Sequence, residues 1–455
     1  MIPLTLAEIA DVTGGQVVGD PSIVVDAPAT LDSRAVEPGG LFVALAGEHV
    51  DGHAYAAQAV ATGAAAVLAS RDTGVRGVVV GDVTRALGQL ARHVLDLRED
   101  VQVVAMTGSS GKTSVKDLLA HVLAPDGATV ATKGNYNNEL GVPLTVLGVD
   151  ELTRFLVVEM GARAVGDIAL LCQIAPPSIG MVLNVGSAHV GEFGSADNIA
   201  RAKGEMAEAV GADGVVVLNA DDPRVAAMRA RTEATVATFG TGPDADMEVG
   251  DLRLDEAGSP HFTLGHDRRR VETTVPLIGG YHAMNAAAAA LAAVSLGLDL
   301  PTIAGRLATA GAARSPMRMD RQVRPDGLVV VNDAYNANPE SMAAALRAVA
   351  AIGGDRSVAV LGAMLELGAD SDDAHRRIGA LAAELGYARV VVVGDDARAI
   401  AEGAGDVAEL VPSVDVARRT LPASLTGDEV VLVKASRGVR LERVADALLE
   451  GTTTR

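Results

Sequence analysis

The chain has 455 residues, 49% of them apolar, with no Trp, five Phe, five Tyr and a formal charge of −20. This length implies about three domains with aliphatic cores, and the charge excludes a nucleic-acid or anionic-membrane partner, whose phosphates would be repelled over most of the surface. The single cysteine, Cys172, excludes an internal disulfide and suits a reducing cytosol.

The first residues, Met1 to Asp11, carry no basic stretch ahead of an apolar one, so no secretory signal is expected and the cytoplasm is the expected compartment. Short apolar runs follow at Leu41–Leu45, Ala64–Leu68 and Gly77–Val80, with helical stretches near Tyr55–Thr62 and Arg85–Leu97. Residues 1–98 therefore predict a small α/β domain.

From Val101 the alternation becomes regular. Val101–Met106, Phe155–Met160, Ile179–Val185 and Gly214–Leu218 are nearly continuous apolar runs separated by helical segments, which predicts a parallel sheet covered on both faces. Asp246–Val275 alternates apolar and polar residues and predicts an antiparallel extension. The Ala-rich window Ala283–Leu298 is too short and too small-sided for a bilayer span and reads as a buried helix. Together these make a central domain, 99–313, of the P-loop ATPase-like kind. A linker around residues 311–320 leads to a second βα series with strands at Leu328–Val331, Val358–Leu361, Val390–Val393 and Val430–Val433. Helices are expected near Ser341–Ala351, Asp373–Leu385 and Leu441–Leu449, so 314–455 predicts a Rossmann-like, doubly wound domain.

The chemistry concentrates at strand ends. Thr107-Gly108-Ser109-Ser110-Gly111-Lys112-Thr113 lies between a strand and a helix. Glycines there let the backbone turn its N–H groups on a phosphate, Lys112 adds a point charge, and Thr113 offers a hydroxyl to Mg²⁺. The spacing is one residue tighter at its front than the common phosphate loop, unless Thr107 opens it. Glu159 ends the next strand, where a carboxylate can hold Mg²⁺ or simply be solvated. His189, in Asn184-Val185-Gly186-Ser187-Ala188-His189, falls on the same edge. Lys203 reads as a helix-surface lysine. Thr132–Pro143, with three asparagines, suits either sugar and peptide recognition or a turn-rich connection. In the last domain Asn332–Pro339 and Lys434-Ala435-Ser436-Arg437 each follow a strand directly, at the expected ligand edge.

These motifs together resemble the Mur ligases of peptidoglycan synthesis: TGSSGKT, TKGNYNNELGVPLT, VVEMGA around Glu159, NVGSAHVGEFGS around His189 and NDAYNANPESM. The likeness extends to Leu31-Asp32-Ser33-Arg34, Gly39–Leu45 and Asp51-Gly52-His53, and so spans essentially the whole chain. It implies a three-domain cytosolic ligase, expected to be monomeric, that joins D-Ala-D-Ala to a UDP-MurNAc-tripeptide with ATP and Mg²⁺. It also implies roles for residues. Lys112 and Thr113 serve phosphates and metal, Glu159 and His189 hold Mg²⁺, and Lys203 matches a lysine that is carbamylated in related ligases. Asn285 matches a contact to the nucleotide base, and Arg318, Asp333, Tyr335 and Asn336 match residues that close over ATP. Asn137 and Asn138 resemble contacts to the muramoyl substrate, Ser33 and Arg34 part of its nucleotide pocket, and Lys434, Ser436 and Arg437 further substrate contacts.

Two departures, Ala363 where the family usually carries an acid and Ala435 where glycine is usual, fall on the expected dipeptide side. A DNPR-type acceptor motif is absent, which favours the dipeptide-adding branch. Two other readings are open: another amide ligase of the Mur or folylpolyglutamate type, and a P-loop NTPase switch, which would usually carry Asp in place of Glu159.

Overall fold

The computed structural model describes residues 1–47, 50–186, 190–312 and 315–450. Among them, three large sheets follow one another along the chain. The first has five strands in the order Gln16–Val18, Gly77–Val79, Ala66–Ala69, Gly40–Val43, Ala27–Thr30, parallel except for the first pair. Its apolar cluster runs without a break from Leu6, Leu41, Leu68 and Leu90 into Val142, Leu147 and Ile174, so this unit is joined to the next through a shared core.

The central sheet has nine strands. Ala128–Ala131, Thr153–Glu159, Gln102–Thr107, Ile179–Val182, Val215–Asn219, Thr235–Gly240 and Met247–Leu254 pair in parallel, in that spatial order. Pro260–His266 and Arg269–Thr274 then add the antiparallel extension that the alternating pattern predicts. The strand predicted over Ile179–Val185 leaves the ladder after Val182, because the residues beyond it turn to another task at the phosphate loop. Helix His282–Ser295 buries Ala283, Ala286–Ala290, Ala292 and Ala293, and these small side chains let it lie close against helix Lys112–Leu123 and the sheet.

The third sheet has six strands in the order Asp320–Val323, Val329–Asp333, Val430–Lys434, Ser357–Leu361, Arg389–Val393, Ala408–Val411, parallel except for the first pair. Helix Pro339–Gly353 starts two residues earlier than its apolar pattern predicts. Pro339 takes the first-turn position, and Asn338 and Ser341 cap it reciprocally. Ile278 and Tyr281 of the central unit pack into this unit's core, which seats the third unit against the second.

Candidate functional site

The strand Gln102–Thr107 runs into the phosphate-loop sequence, and helix Lys112–Leu123 begins immediately after it. Gly111, at φ +82°, caps that helix, and a Cβ there would lie 2.7 Å from Asn285 Oδ1, so both conformation and space demand glycine. The loop is braced from the neighbouring strand. Ser109 N–H donates to the Asn184 carbonyl, Ser110 N–H donates to Asn184 Oδ1 at 2.9 Å, and Asn184 Nδ2 returns a bond to the Ser110 carbonyl at 3.1 Å. Gly186 N–H adds a bond to Ser109 Oγ at 2.9 Å. The serine amides thus hold the loop's shape, and an anion would be met by the first N–H groups of the helix, which have no partner within it. Asn184 is a functional residue that the sequence reading left without a role. An amide at the end of a buried strand beside a phosphate loop was the available signal.

Lys112 Nζ donates to the Gly108 carbonyl at 2.7 Å, which holds the ammonium over the loop. Burial lowers its pKa, the Glu159 carboxylate opposes this, and the Arg318 guanidinium adds to it. Beneath the helix start, Glu159 is 2% exposed. Its Oε2 accepts from Thr113 Oγ1 at 2.7 Å and its Oε1 from Asn137 Nδ2 at 2.8 Å. The Thr113 hydroxyl and Glu159 carboxylate oxygens are hard donors, and the Asn137 NH2 holds the carboxylate in place. Among the described residues no group of three His, Cys, Asp or Glu side chains could hold a metal by itself. Such a site fits a divalent cation that is completed by phosphate oxygens and water. His189 lies outside the described residues.

Lys203 is not on the helix surface. It sits on helix Ala196–Ala209 at 4% exposure, and burial together with the like charge of Lys112 pushes its pKa well below the ordinary lysine range. Asn138 caps the following turn, its Oδ1 accepting from Gly141 N–H at 3.0 Å. Asn285, on helix His282–Ser295, lies beside Gly111 and within 3.3 Å of His282 Nδ1.

The third unit reaches this edge. The Arg318 guanidinium stacks over the Tyr335 ring at 4.3 Å, and its Nε is buried without a partner among the described residues. Met317 and Met319, on either side, both have positive φ (59° and 51°), a backbone cost of about 1–3 kcal/mol each that aims Arg318 inward. Tyr335 Oη comes within 4.0 Å of where a Cβ on Gly134 would stand, and burial, with a contribution from Glu159, raises its pKa. Thr107 Oγ1, at the foot of the loop, is also buried without a partner among the described residues. Two orphaned polar atoms around one loop fit a polar ligand between the units.

Behind this face the third unit braces itself. Asp333 accepts from Met319 N–H at 3.0 Å and from Lys434 Nζ at 2.6 Å, and Lys434 also donates to the Asn336 carbonyl at 2.7 Å. Lys434 is 2% exposed, and the buried Ser436 hydroxyl accepts from Leu365 N–H. In this structure both side chains, expected as substrate contacts, spend these bonds on bracing loops. The half-exposed Arg437 pairs with Glu442 at 2.8 Å and touches Met317 Sδ. Asn336 has an exposed side chain.

Ser33 and Arg34 stay in the first unit, after strand Ala27–Thr30. Ser33 is buried, whereas Arg34 is exposed and forks onto Asp32, whose pKa falls to about 2 through that bond. The same unit carries a Ser-His-Asp arrangement: Asp51 Oδ1 is 2.7 Å from His53 Nδ1, and Ser70 Oγ is 3.0 Å from His53 Nε2. The Ser70 backbone N–H takes the same Nε2 lone pair at 3.2 Å. The imidazole is thus a staple between two loops and has no lone pair left to serve as a base. Cys172, packed on the sulfurs of Met160 and Met206, has its thiol pushed up to about 12 by burial, which rules it out as a nucleophile.

Comparison with known proteins places this geometry. The chain matches the Mur ligase family catalytic domain over residues 29–94, the Mur ligase middle domain over 106–293 and the Mur ligase glutamate ligase domain over 317–437. The chain belongs to the Mur ligase family. It is 43% identical to the UDP-N-acetylmuramoyl-tripeptide--D-alanyl-D-alanine ligase of Mycobacterium tuberculosis, with 100% of this chain and 99% of the relative covered. It is 36% identical to the enzyme of that name from Escherichia coli, with 100% of each chain covered. Among solved structures, MurF from Acinetobacter baumannii superposes with a TM-score of 0.88 at 31% identity, covering 98% of this chain and 99% of that one. MurF from Thermotoga maritima in complex with ADP superposes at 0.80 and 30% identity, covering 94% and 98%.

Proposed function

We propose that this chain is the ligase that joins D-alanyl-D-alanine to UDP-N-acetylmuramoyl-tripeptide at the expense of ATP, in cytoplasmic peptidoglycan precursor synthesis. The observation that carries this reading is the meeting, on one edge, of Lys112, the Thr113–Glu159–Asn137 cluster and the Arg318–Tyr335 stack. Support comes from full-length likeness to proteins of that activity and from the ADP-bound relative.

A carboxylate oxygen leaves poorly, so amide formation needs activation. In this reading the γ-phosphoryl group passes from ATP to the tripeptide's terminal carboxylate, with ADP leaving, and the dipeptide amine then attacks the acyl carbon and expels phosphate. The transfer calls for charge cancellation more than for covalent help. Lys112 and the helix start meet the phosphates, Arg318 approaches from the third unit, and Tyr335 covers the cleft against water, which would hydrolyse the acyl phosphate. Thr113 and Glu159 would hold Mg²⁺, which draws off charge as the phosphoryl group moves. Burial, with the like charge of Lys112, lowers the Lys203 pKa and so favours the neutral amine, the form of lysine able to take up CO₂ and become a metal-binding carbamate. Asn285 would face the base, Asn137 and Asn138 the muramoyl substrate, and Ser33 and Arg34 its nucleotide. We take the chain to act as a monomer of three domains, 1–98, 99–313 and 314–455.

The test is phosphate release from ATP with UDP-MurNAc-tripeptide and D-Ala-D-Ala, each omitted in turn. Release and a new peptide bond are expected only with all three substrates. ATP consumed at the same pace without the tripeptide would sink the ligase in favour of an NTPase switch.

A further inference from the structure

Lys116 is a buried lysine that the reaction scheme does not use, one turn after Lys112 on the same helix. Its Nζ donates to the Thr132 carbonyl at 2.8 Å and pairs with Asp117 Oδ1 at 2.5 Å. Asp117 Oδ2 in turn accepts from the backbone N–H of Ser315, in the linker, at 3.0 Å. On the other side, Thr132 Oγ1 accepts from Glu159 N–H at 3.0 Å. Thr132 also opens the segment that delivers Asn137 to the Glu159 carboxylate. A chain of hydrogen bonds thus runs from Ser315, through two adjacent charged side chains, to Thr132 and the backbone N–H of Glu159, and the chain that continues from Thr132 carries Asn137 to the Glu159 carboxylate.

We propose that Lys116 and Asp117 are positioning residues that couple the seating of the linker to the setting of the Glu159 carboxylate. A buried ammonium needs its counter-ion, and a carboxylate paired on one oxygen is a better-fixed acceptor on the other. With Ser315 seated, Asp117 is held, Lys116 is held by Asp117, and the Thr132 carbonyl is fixed from below. When the linker lifts, Asp117 loses one partner and the lysine can follow it away from Thr132, which loosens the segment bearing Asn137. By reciprocity, whatever ligand tightens Glu159 favours the seated linker. The relay therefore favours an assembled metal edge only when the third unit is in place.

The coupling rests on the ligase reading for its kinetic readout alone, so a second readout is paired with it. In the full chain, Lys116→Met and Ser315→Pro break opposite ends of the relay. Each should raise the KM for ATP about tenfold, and the double variant should be no worse than either alone, because both cut one path. Asp117→Asn, which keeps an acceptor for Ser315 but turns its NH2 toward the Lys116 ammonium, should lose as much as Lys116→Met, whereas a wild-type KM in that variant would overturn the charged step of the relay. Small-angle scattering with a non-hydrolysable ATP analogue should show the same variants less compact than the wild type, whether or not ligation occurs. Multiplicative KM effects in the double variant, or wild-type compaction in Lys116→Met, would overturn the relay. If Lys116→Met does not fold, Ser315→Pro decides by itself: an unchanged KM and scattering profile overturns the relay, and a shift in both supports it.

Discussion

Two strand edges face each other across this molecule, and their polar side chains are employed differently. At the central edge, Lys112 is tethered to a loop carbonyl, Thr107 keeps a hydroxyl without a partner among the described residues, and the Glu159 cluster gathers oxygens of the kind that a phosphate-bound cation takes. At the third unit's edge, Asp333, Lys434 and Ser436 spend their hydrogen bonds on one another and on loop backbone, and what they present forward is Arg318 and Tyr335. The central edge is built to bind, and the third edge is built to hold two residues in place.

The largest expected effect tests the first half of that contrast. Lys112→Ala should lower ligation at least about a thousandfold, because a charge aimed at the migrating phosphoryl group is lost. Its thermal unfolding should stay near the wild type's, since the side chain fills no apolar core. Turnover near the wild-type rate would remove Lys112 from the chemistry. The second half is tested by Lys434→Met. Stripping the buried partner from Asp333 should cost about 3 kcal/mol of stability, seen as a lower denaturant midpoint, with a smaller loss of turnover than Lys112→Ala shows. A variant with unchanged stability but no turnover would return Lys434 to the substrate contacts.

The contrast also explains what was legible in the sequence. The phosphate loop and Glu159 are local patterns, read from a strand, a glycine turn and the residue type at a strand end, and the structure puts them together. The antiparallel extension was legible for the same reason, since its period of two is written in contiguous residues. Asn184 bracing Ser110 across 74 positions, and Asp117 holding Ser315 across 198, are not written locally. Lys203 misled because its helix is buried all round from Ala202 to Ala207, so the lysine lies inside where residue type and spacing alone suggest solvent. Lys434 and Ser436 stand at the strand end where the pattern puts them, but their burial and their bonds to Asp333, the Asn336 carbonyl and Leu365 N–H join segments distant in sequence and are not written locally.

A smaller effect concerns pH. Burial, then Lys112, depresses the Lys203 pKa well below 10.5, so the folded chain binds fewer protons at this side chain than the unfolded chain does. Wherever the unfolded state binds more protons, stability rises with pH. The penalty for burying Lys203 is therefore fully present below its folded pKa and fades as pH climbs toward 10.5. In bicarbonate-free buffer, Lys203→Met should be the more stable protein by a few degrees near neutrality, about 2–4 °C for each kcal/mol where the unit that unfolds has roughly 150–250 residues. The gap should close as pH is raised from 7 to 10, and a gap independent of pH would show that Lys203 is charged in the folded chain throughout.

The smallest effect is expected at Ser70, where geometry resembles catalysis and hydrogen bonding argues against it. In a working triad the His Nε2 lone pair is free to take the serine proton as the nucleophile attacks. Here that lone pair is shared between Ser70 Oγ at 3.0 Å and the Ser70 backbone N–H at 3.2 Å, while Asp51 is also committed to Arg71 at 2.5 Å. Removing the hydroxyl leaves the backbone bond intact, so Ser70→Ala should cost no more than about 1 kcal/mol of stability, the net value of one hydrogen bond. Ligase turnover should not change, and the wild-type chain should take up no fluorophosphonate label, whose capture needs an activated serine. Labelling that vanishes in Ser70→Ala would mean that His53 does act as a base, and that the first unit holds chemistry of its own.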